Sequence, residues 1–425
     1  MTEKDKIKDK KEVKQRGSVL TPGFGPLRGV RVLSCGNVIG GPYAAQLLGE
    51  MGAEVIHIER PGVGDMIKAE GRTNGVYPAW AALARNRLSV TLNMDMKNED
   101  SREIFLGLIK KCDIWVENLV WIEKMGITDE MIREANPKIV IVHVSGFGRP
   151  QFGGIPEVCD RPSFDVIGQA YSGFMSVQGE EGEMYPITKP TLNDYHTALF
   201  AALGALAAYI RARRTGKGDV VDVAQFEADA ALLGHFMVSY TVSGELPKRT
   251  GNAFTNAPYD LYETGDGRYV AMGTLGKPLY NRALEVMGFD TVEYPFEECG
   301  VDPAAMNSEL GKKLDMRIRG WMRGHTAAEI EERFGKKRVP ASAVNTLADL
   351  LENDHFIARG DAIKWKDEDS GKEITGTGVM PKFLDNPGKV WRGAPKTGQD
   401  TELVLKKVFG YDDVKIKQLR DDGVI

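Results

Sequence analysis

The stretch Lys189–Gly218, KPTLNDYHTALFAALGALAAYIRARRTGKG, constrains the fold more than any other part of the chain. After Pro190 it offers Asn193 and Asp194, then runs through Ala and Leu without a breaker until Thr215 and Gly216. Asn or Asp ahead of such a run marks a helix start, because its side-chain oxygen accepts from a backbone N–H that the first turn leaves free. Ala201, Ala205 and Leu206 fall at helical spacing and predict a helix buried in the protein. Arg211, Arg213 and Arg214 suit the negative end of its dipole. Asp194 then has two readings. One is a simple N-cap. The other is a carboxylate held at the positive end of a buried helix, kept ionised and aimed into a cleft, as a carboxylate nucleophile requires.

Around this helix the chain alternates strand and helix. Val30–Leu33 reads as a strand, Gly36–Pro42 as a glycine turn, Tyr43–Met51 as a helix with Pro at its start, and Glu54–Glu59 as a second strand. Glu59 stands where a ribose-binding acid would. The glycines follow G-x-x-x-G-G-P rather than G-x-G-x-x-G, which argues against a nicotinamide dinucleotide. The turn still presents free N–H groups to an anion. Strands are expected at Leu88–Leu92, Asp113–Glu117, Ile139–Val144 and Val220–Ala224. Helices are expected at Ser101–Lys111, Asp129–Ala135 and Phe226–Val242. The unbroken apolar run Ile139–Val144 suits a parallel strand covered on both faces. The fold class is therefore α/β: a large doubly wound, Rossmann-like domain built from N- and C-terminal segments, with a smaller α+β domain. The expected boundaries are a disordered tail over 1–23, the large domain over 24–225, a linker over 226–249, the small domain over 250–335, and a C-terminal segment over 336–425 that returns to the large domain.

The chain has 425 residues, 42% of them hydrophobic, enough for a sizeable core in two or three domains. Its net charge of -5 gives no hint of a nucleic-acid surface. Cys35, Cys112, Cys159 and Cys299 are scattered, which fits a reducing cytoplasm and neither a disulfide framework nor zinc. The six histidines offer no metal-ligand spacing, and no metal is expected. No apolar run is long enough for a membrane span, and residues 1–17 lack the apolar core of a signal peptide. Neither G-x-S-x-G nor the P-loop pattern occurs. His196, two residues from Asp194, reads as a partly exposed helix histidine before it reads as a base. Arg60, Arg87, Lys124 and Lys189, near strand ends, are candidates for a phosphate site, though each alone is commonly a solvated charge.

Several blocks in one order carry a resemblance: GPLRGVRVL, GGPYAAQLLGEMGAEVIHIERPGVGDM, NRLSVTLNM, FDVIGQAYSGFMS, TGKGDVVDVA and WRGAP. From about Phe24 to the C-terminus the sequence resembles the class III CoA-transferase family, nearest its carnitine and bile-acid branch. The resemblance implies that Asp194 is the nucleophile. It places coenzyme A against Val38, Ile39 and Gly40, with Arg60, Arg87, Asn118 and Lys124 as further contacts. Two departures stand out: Leu119–Glu123 lacks the family's G-P-G, and Ser145 occupies the place of a family lysine.

The implied activity moves CoA from an acyl-CoA donor to a small carboxylic acid, carnitine-like or bile-acid-like, with an aryl- or alkyl-succinate as the alternative acid. CoA is then a substrate, and no cofactor is permanently bound. Attack by Asp194 on the thioester gives a mixed anhydride, the CoA thiolate converts it to an aspartyl-CoA thioester, and the acceptor carboxylate takes over the aspartyl carbonyl. Backbone N–H groups near Asp194 are the expected oxyanion donors, and Gly273–Gly276 is a candidate covering loop. The family also implies an interlocked homodimer. Two rivals remain. An α-methylacyl-CoA racemase needs a proton-carrying pair where this chain has Phe164-Asp165. A CoA-binding protein without turnover has no use for an intact Asp194.

Overall fold

The computed structural model describes residues 20–120, 122–253 and 258–425. Most of the expected 1–23 tail lies outside the described residues. Its last part is not a tail: Leu20 donates its N–H to Glu54 Oε2 at 2.5 Å and packs on the core. By contacts the chain forms two compact units. Among the described residues, one takes in those up to Met175, Ile187–Val238 and Ala358–Ile425; the other takes in Ser176–Pro186 and those within Ser239–Ile357.

The first unit is an α/β fold around a sheet of six parallel strands. These are β1 (Arg31–Cys35), β2 (Glu54–Glu59), β3 (Arg87–Thr91), β4 (Ile114–Glu117), β5 (Val140–Ser145) and β6 (Asp219–Ala224), in the spatial order β3-β2-β1-β4-β5-β6. Its helices include α1 (Gly40–Glu50), α2 (Glu99–Ile109), α3 (Asp129–Ala135), α4 (Asp165–Tyr171), α5 (Leu192–Thr215) and α6 (Gln225–Ala231). Successive strand residues point to opposite faces. Leu33, Ile56 and Ile141 therefore join a core with Ile104, Phe105 and Ile132 from α2 and α3. Val32, Val55 and Val142 join another with Ala44, Ala45 and Leu48 of α1 and the alanines of α5. Both faces are covered, which is why the strands read as continuous apolar runs.

Strand order reverses between β1 and β4. In open sheets of this kind, ligands bind outside the carboxyl ends of the strands at that point. The glycine turn follows β1 and Asn118 follows β4, so both lie there. The segment Trp391–Thr401, which holds the WRGAP block, runs along β3. Trp391 N–H bonds Asn86 Oδ1 (2.8 Å), Ser89 N–H bonds Asp400 Oδ2 (2.9 Å), and Trp80 Nε1 donates to Pro395 O (2.9 Å). That block thus covers an otherwise open sheet edge.

Where one helix was expected over Phe226–Val242, there are two, α6 and α7 (His235–Ser243). Gly234, with φ 57°, stands in the break. The second unit holds an antiparallel sheet of β7 (Tyr259–Glu263), β8 (Tyr269–Gly273) and β9 (Ala341–Ala343), with β8 in the middle. Helices α8 (Lys277–Met287), α9 (Glu309–Arg323) and α10 (Ala327–Lys336) bury Leu284, Ile318 and Phe334 with it. The turn Gly265–Gly267 joins β7 to β8, and Gly273–Gly276 leads from β8 to α8. Among the described residues no helix is long and apolar enough to cross a membrane, and no cluster of His, Cys, Asp and Glu is placed to hold a metal ion.

Candidate active site

Helix α5 buries one face: Asn193, Asp194, Thr197, Ala198, Ala201, Ala205, Ala208 and Ala212. Small side chains at this spacing let it lie close to the sheet, and a Cβ at Gly204 would stand 2.7 Å from Val221. The opposite face is not buried: Leu199, Leu203 and Ile210 are exposed. The helix ends at Gly216, left-handed at φ 72°, as its sequence predicts.

Its beginning differs from the expectation. The helix starts at Leu192, so Asp194 is already inside the first turn and does not cap it. Thr191, the residue in the cap position, makes no side-chain cap either. The role falls to Asp165 at the start of α4, whose Oδ1 accepts the N–H groups of Asn193 (2.8 Å) and Asp194 (3.3 Å). A carboxylate from elsewhere in the chain thus satisfies donors that a local cap would have taken. Gln169 Nε2 donates to the other Asp165 oxygen at 2.7 Å, and Gln169 is itself held on both polar atoms by Thr188.

Asp194 itself is 7% exposed. Its Oδ1 accepts from Gln225 Nε2 at 2.6 Å, and no hydrogen bond to Oδ2 is found among the described residues. Burial, and then the nearby charges of Asp165 and Asp229, push its carboxyl up to about 7, while the Gln225 hydrogen bond works in the opposite direction. Gln225 is the first residue after β6, and its carbonyl accepts from Asn193 Nδ2 at 2.7 Å. Asn193 is locked in turn, since a Cβ on Gly168 would lie 2.4 Å from its Oδ1. His196 is half-buried, with Nδ1 3.0 Å from Oδ1 of the fully buried Asp229. The result is a set of three carboxylates, three side-chain amides and one histidine, in which no arginine or lysine among the described residues is bonded to the carboxylates.

The glycine turn is built from backbone and two polar side chains. Asn118 Oδ1 accepts the Asn37 N–H (3.0 Å) and its Nδ2 donates to the Asn37 carbonyl (2.9 Å). This closure requires Gly36, whose Cβ would lie 1.8 Å from that oxygen. Val38 adopts φ 65°, a strained choice for a β-branched residue, and its N–H bonds Asp65 Oδ1 at 2.9 Å. Ile39 and Gly40 follow, buried, and α1 begins at Gly40, so the glycines form its first turn. Glu59 is buried and bonded to Asp65 N, Lys68, Ser89 and Thr397, which leaves it unsuited to a ribose.

The remaining expected contacts divide. Arg60 is exposed on the turn after β2, and Lys124 is exposed on the short helix Ile122–Met125. Trp121, within Leu119–Glu123, lies outside the described residues. Arg87 is 1% exposed; its Nη2 bonds the carbonyls of Pro42 and Leu83 and its guanidinium lies over Trp80. Its Nη2 holds α1 and the segment before β3, and its burial argues against the phosphate contact expected of it. Sequence reasoning passed over Gln225, Asp65 and Asp229. The available signal was position: Gln225 directly follows the carboxyl end of a parallel strand, where α/β proteins place functional side chains.

The chain is similar to known proteins. The family described as CoA-transferase family III matches residues 27–401. The bile acid CoA-transferase BaiK of Clostridium scindens is 38% identical over 408 residues, 95% of this chain and 90% of that protein. Among solved structures, a CAIB/BAIF family protein from Brucella suis matches with a TM-score of 0.76 at 24% identity, covering 91% of this chain and 100% of that one. Rv3272 from Mycobacterium tuberculosis matches with a TM-score of 0.75 at 21% identity, covering 90% and 99%. These two establish likeness of fold.

Proposed function

Since the chain belongs to CoA-transferase family III and is a CoA-transferase, we propose that it works through Asp194. In this reading Asp194 Oδ2 attacks the thioester carbonyl of an acyl-CoA, the C–S bond breaks, and a mixed anhydride forms. The CoA thiolate then attacks Asp194 Cγ and releases the donor's carboxylate, leaving an aspartyl-CoA thioester. The acceptor carboxylate attacks the same carbon and expels the thiolate, giving a second anhydride; the thiolate then attacks the acceptor's carbonyl carbon, and Asp194 leaves as the free carboxylate. The observation that carries this reading is a buried carboxylate with one oxygen fixed and, among the described residues, no bonded cation to quench it.

CoA is proposed to lie at the sheet's reversal point, against Val38, Ile39 and Gly40, with Asn118 holding the turn and Arg60 and Lys124 meeting phosphates. The acceptor is proposed to be a bile-acid-like carboxylate, on the strength of the BaiK relative, with a carnitine-like acid as the second candidate. An α-methylacyl-CoA racemase is disfavoured: Phe164 is 63% exposed and carries no proton, and Asp165 is occupied by the N–H groups of α5. The interlocked homodimer is proposed with it, since Leu199, Leu203 and Ile210 leave an apolar stripe on α5 to be covered. Sedimentation should give a dimer at all dilutions that can be measured, and a folded monomer would refute it.

The test of Asp194 is chemical trapping. Enzyme incubated with acyl-CoA and then hydroxylamine should carry a hydroxamate on Asp194, and borohydride should reduce an aspartyl-CoA thioester there. Asp194→Asn should lose at least about 10⁴-fold in turnover, because an amide cannot form the anhydride. Label on another residue, or near-normal transfer by the variant, would exclude Asp194.

A further inference from the structure

We propose that Gln225 is a catalytic residue: its side-chain amide is the donor that stabilises the oxyanion formed on Asp194 when the aspartyl carbonyl is attacked. This rests on the reading of Asp194 as nucleophile and says which group serves it. Oxyanions need donors fixed in advance and shielded from water. Gln225 Nε2 lies 2.6 Å from Asp194 Oδ1, and the two residues are 8% and 7% exposed. The N–H groups of Asn193 and Asp194 are not available, because Asp165 takes both.

The atoms follow from the bonding. Oδ1 is held by Gln225, so Oδ2 makes the bond to the donor's acyl carbon and the CoA thiolate leaves. When that thiolate attacks Cγ, a C–S bond forms and the Cγ–Oδ2 bond breaks, with Oδ2 leaving on the donor's carboxylate. Through that exchange Oδ1 remains the carbonyl oxygen, and it is the atom on which negative charge gathers. A neutral amide suits this position better than a cation. An arginine would hold the resting carboxylate in an ion pair and lower its reactivity, whereas a glutamine lends a single bond whose strength grows as charge develops. The residue is also well anchored: its backbone carbonyl accepts from Asn193 Nδ2 at 2.7 Å, next in sequence to Asp194. Because that anchor is backbone, replacing the side chain leaves it in place.

The test uses Gln225→Leu, which keeps bulk without the donor, and Gln225→Glu, which donates only when protonated. In Gln225→Leu, kcat should fall by about 10²–10³-fold with KM for acyl-CoA within about threefold. The first step places its charge on the substrate carbonyl, so the anhydride should still form and accumulate. Hydroxylamine trapping at Asp194 should rise relative to borohydride-reducible thioester. The activity of Gln225→Glu relative to Gln225→Leu should climb as the pH is lowered from about 8 to about 6. A structural role alone would lower both trapped species together and give no such climb; that result, or a wild-type kcat in Gln225→Leu, overturns the inference. If wild-type enzyme carries no label at Asp194, the underlying reading is what has failed, and the inference falls with it.

Discussion

Two buried clusters of acidic side chains lie near the carboxyl ends of the sheet strands, and they are built on opposite principles. In the first, Glu117 Oε1 accepts from His143 Nδ1 (2.5 Å) and from Arg149 Nη2 (2.7 Å), and His143 Nε2 meets Asp129 Oδ1 at 3.0 Å. Burial opposes a charge on His143, yet its bonds to Asp129 and Glu117 hold its pKa up at about 9, so it is a cation at neutral pH. Carboxylates and cations are matched. In the second, Asp165, Asp194 and Asp229 share one neighbourhood with Gln225 and His196, and Asp194 is pushed up to about 7. The first arrangement is what a fold does with charges it must bury. The second leaves a carboxylate poorly compensated, and that is a cost to the fold accepted for reactivity.

Breaking each cluster should therefore move stability in opposite directions. Glu117→Ala strands a buried cationic pair and should cost about 3–5 kcal/mol, read by chemical denaturation. The His143 contribution carries a pH signature. Its folded pKa is raised, so the stabilisation is complete below the ordinary histidine range and declines as pH rises, ending above about 9. Asp194→Asn does the reverse. Its folded pKa is also raised, but the wild-type group must lose its proton above about 7, and the native state then bears a buried charge. The variant should be more stable than wild type at pH 8 by on the order of 1–3 kcal/mol, with little difference near pH 4. Equal responses at both clusters would remove the distinction.

A narrower test shifts the second cluster without emptying it. Asp165→Asn keeps an oxygen to accept the N–H groups of α5 but removes the charge that, after burial, most raises Asp194. Transfer requires ionised Asp194, so kcat/KM for acyl-CoA should rise with pH toward a plateau above about 7 in wild type. In Asp165→Asn the rise should come about one pH unit lower. An unmoved limb would mean that Asp165 acts only as a cap.

The sheet and its helices were legible because their signals are local: apolar runs such as Ile139–Val144, the glycine at the end of α5, and turn residues. The start of α5 was not. Asn193 and Asp194 look like caps, but the groups that serve the helix come from Asp165, about thirty residues away, and Gln225 arrives from the end of another strand. Such pairings depend on tertiary approach and leave no periodic trace. The same holds for Arg87, which by position near a strand end looks like a phosphate ligand. Nothing in its neighbours shows that Pro42 and Leu83 hold it inside.

Arg60 and Arg87 supply the smallest and most discriminating comparison. Arg60 follows the carboxyl end of β2 and Arg87 opens β3 with its side chain reaching Pro42, but Arg60 is exposed and Arg87 is buried over Trp80. If the CoA phosphates lie against the turn, Arg60→Ala should weaken CoA by roughly 2–5-fold, since a solvent-exposed ionic contact is worth little. The loss should shrink further as salt is raised, because such contacts are screened within about 10 Å at 0.1 M. Its thermal midpoint should not move. Arg87→Ala should show the other pattern: a lower midpoint, from an emptied buried site and the lost bonds to the carbonyls of Pro42 and Leu83. Any weakening of CoA there should not depend on salt. Calorimetric titration of both variants with CoA at two ionic strengths separates the cases. A salt-dependent loss in Arg87→Ala, with Arg60→Ala unchanged, would return Arg87 to the phosphate site and require its side chain to leave the position seen here.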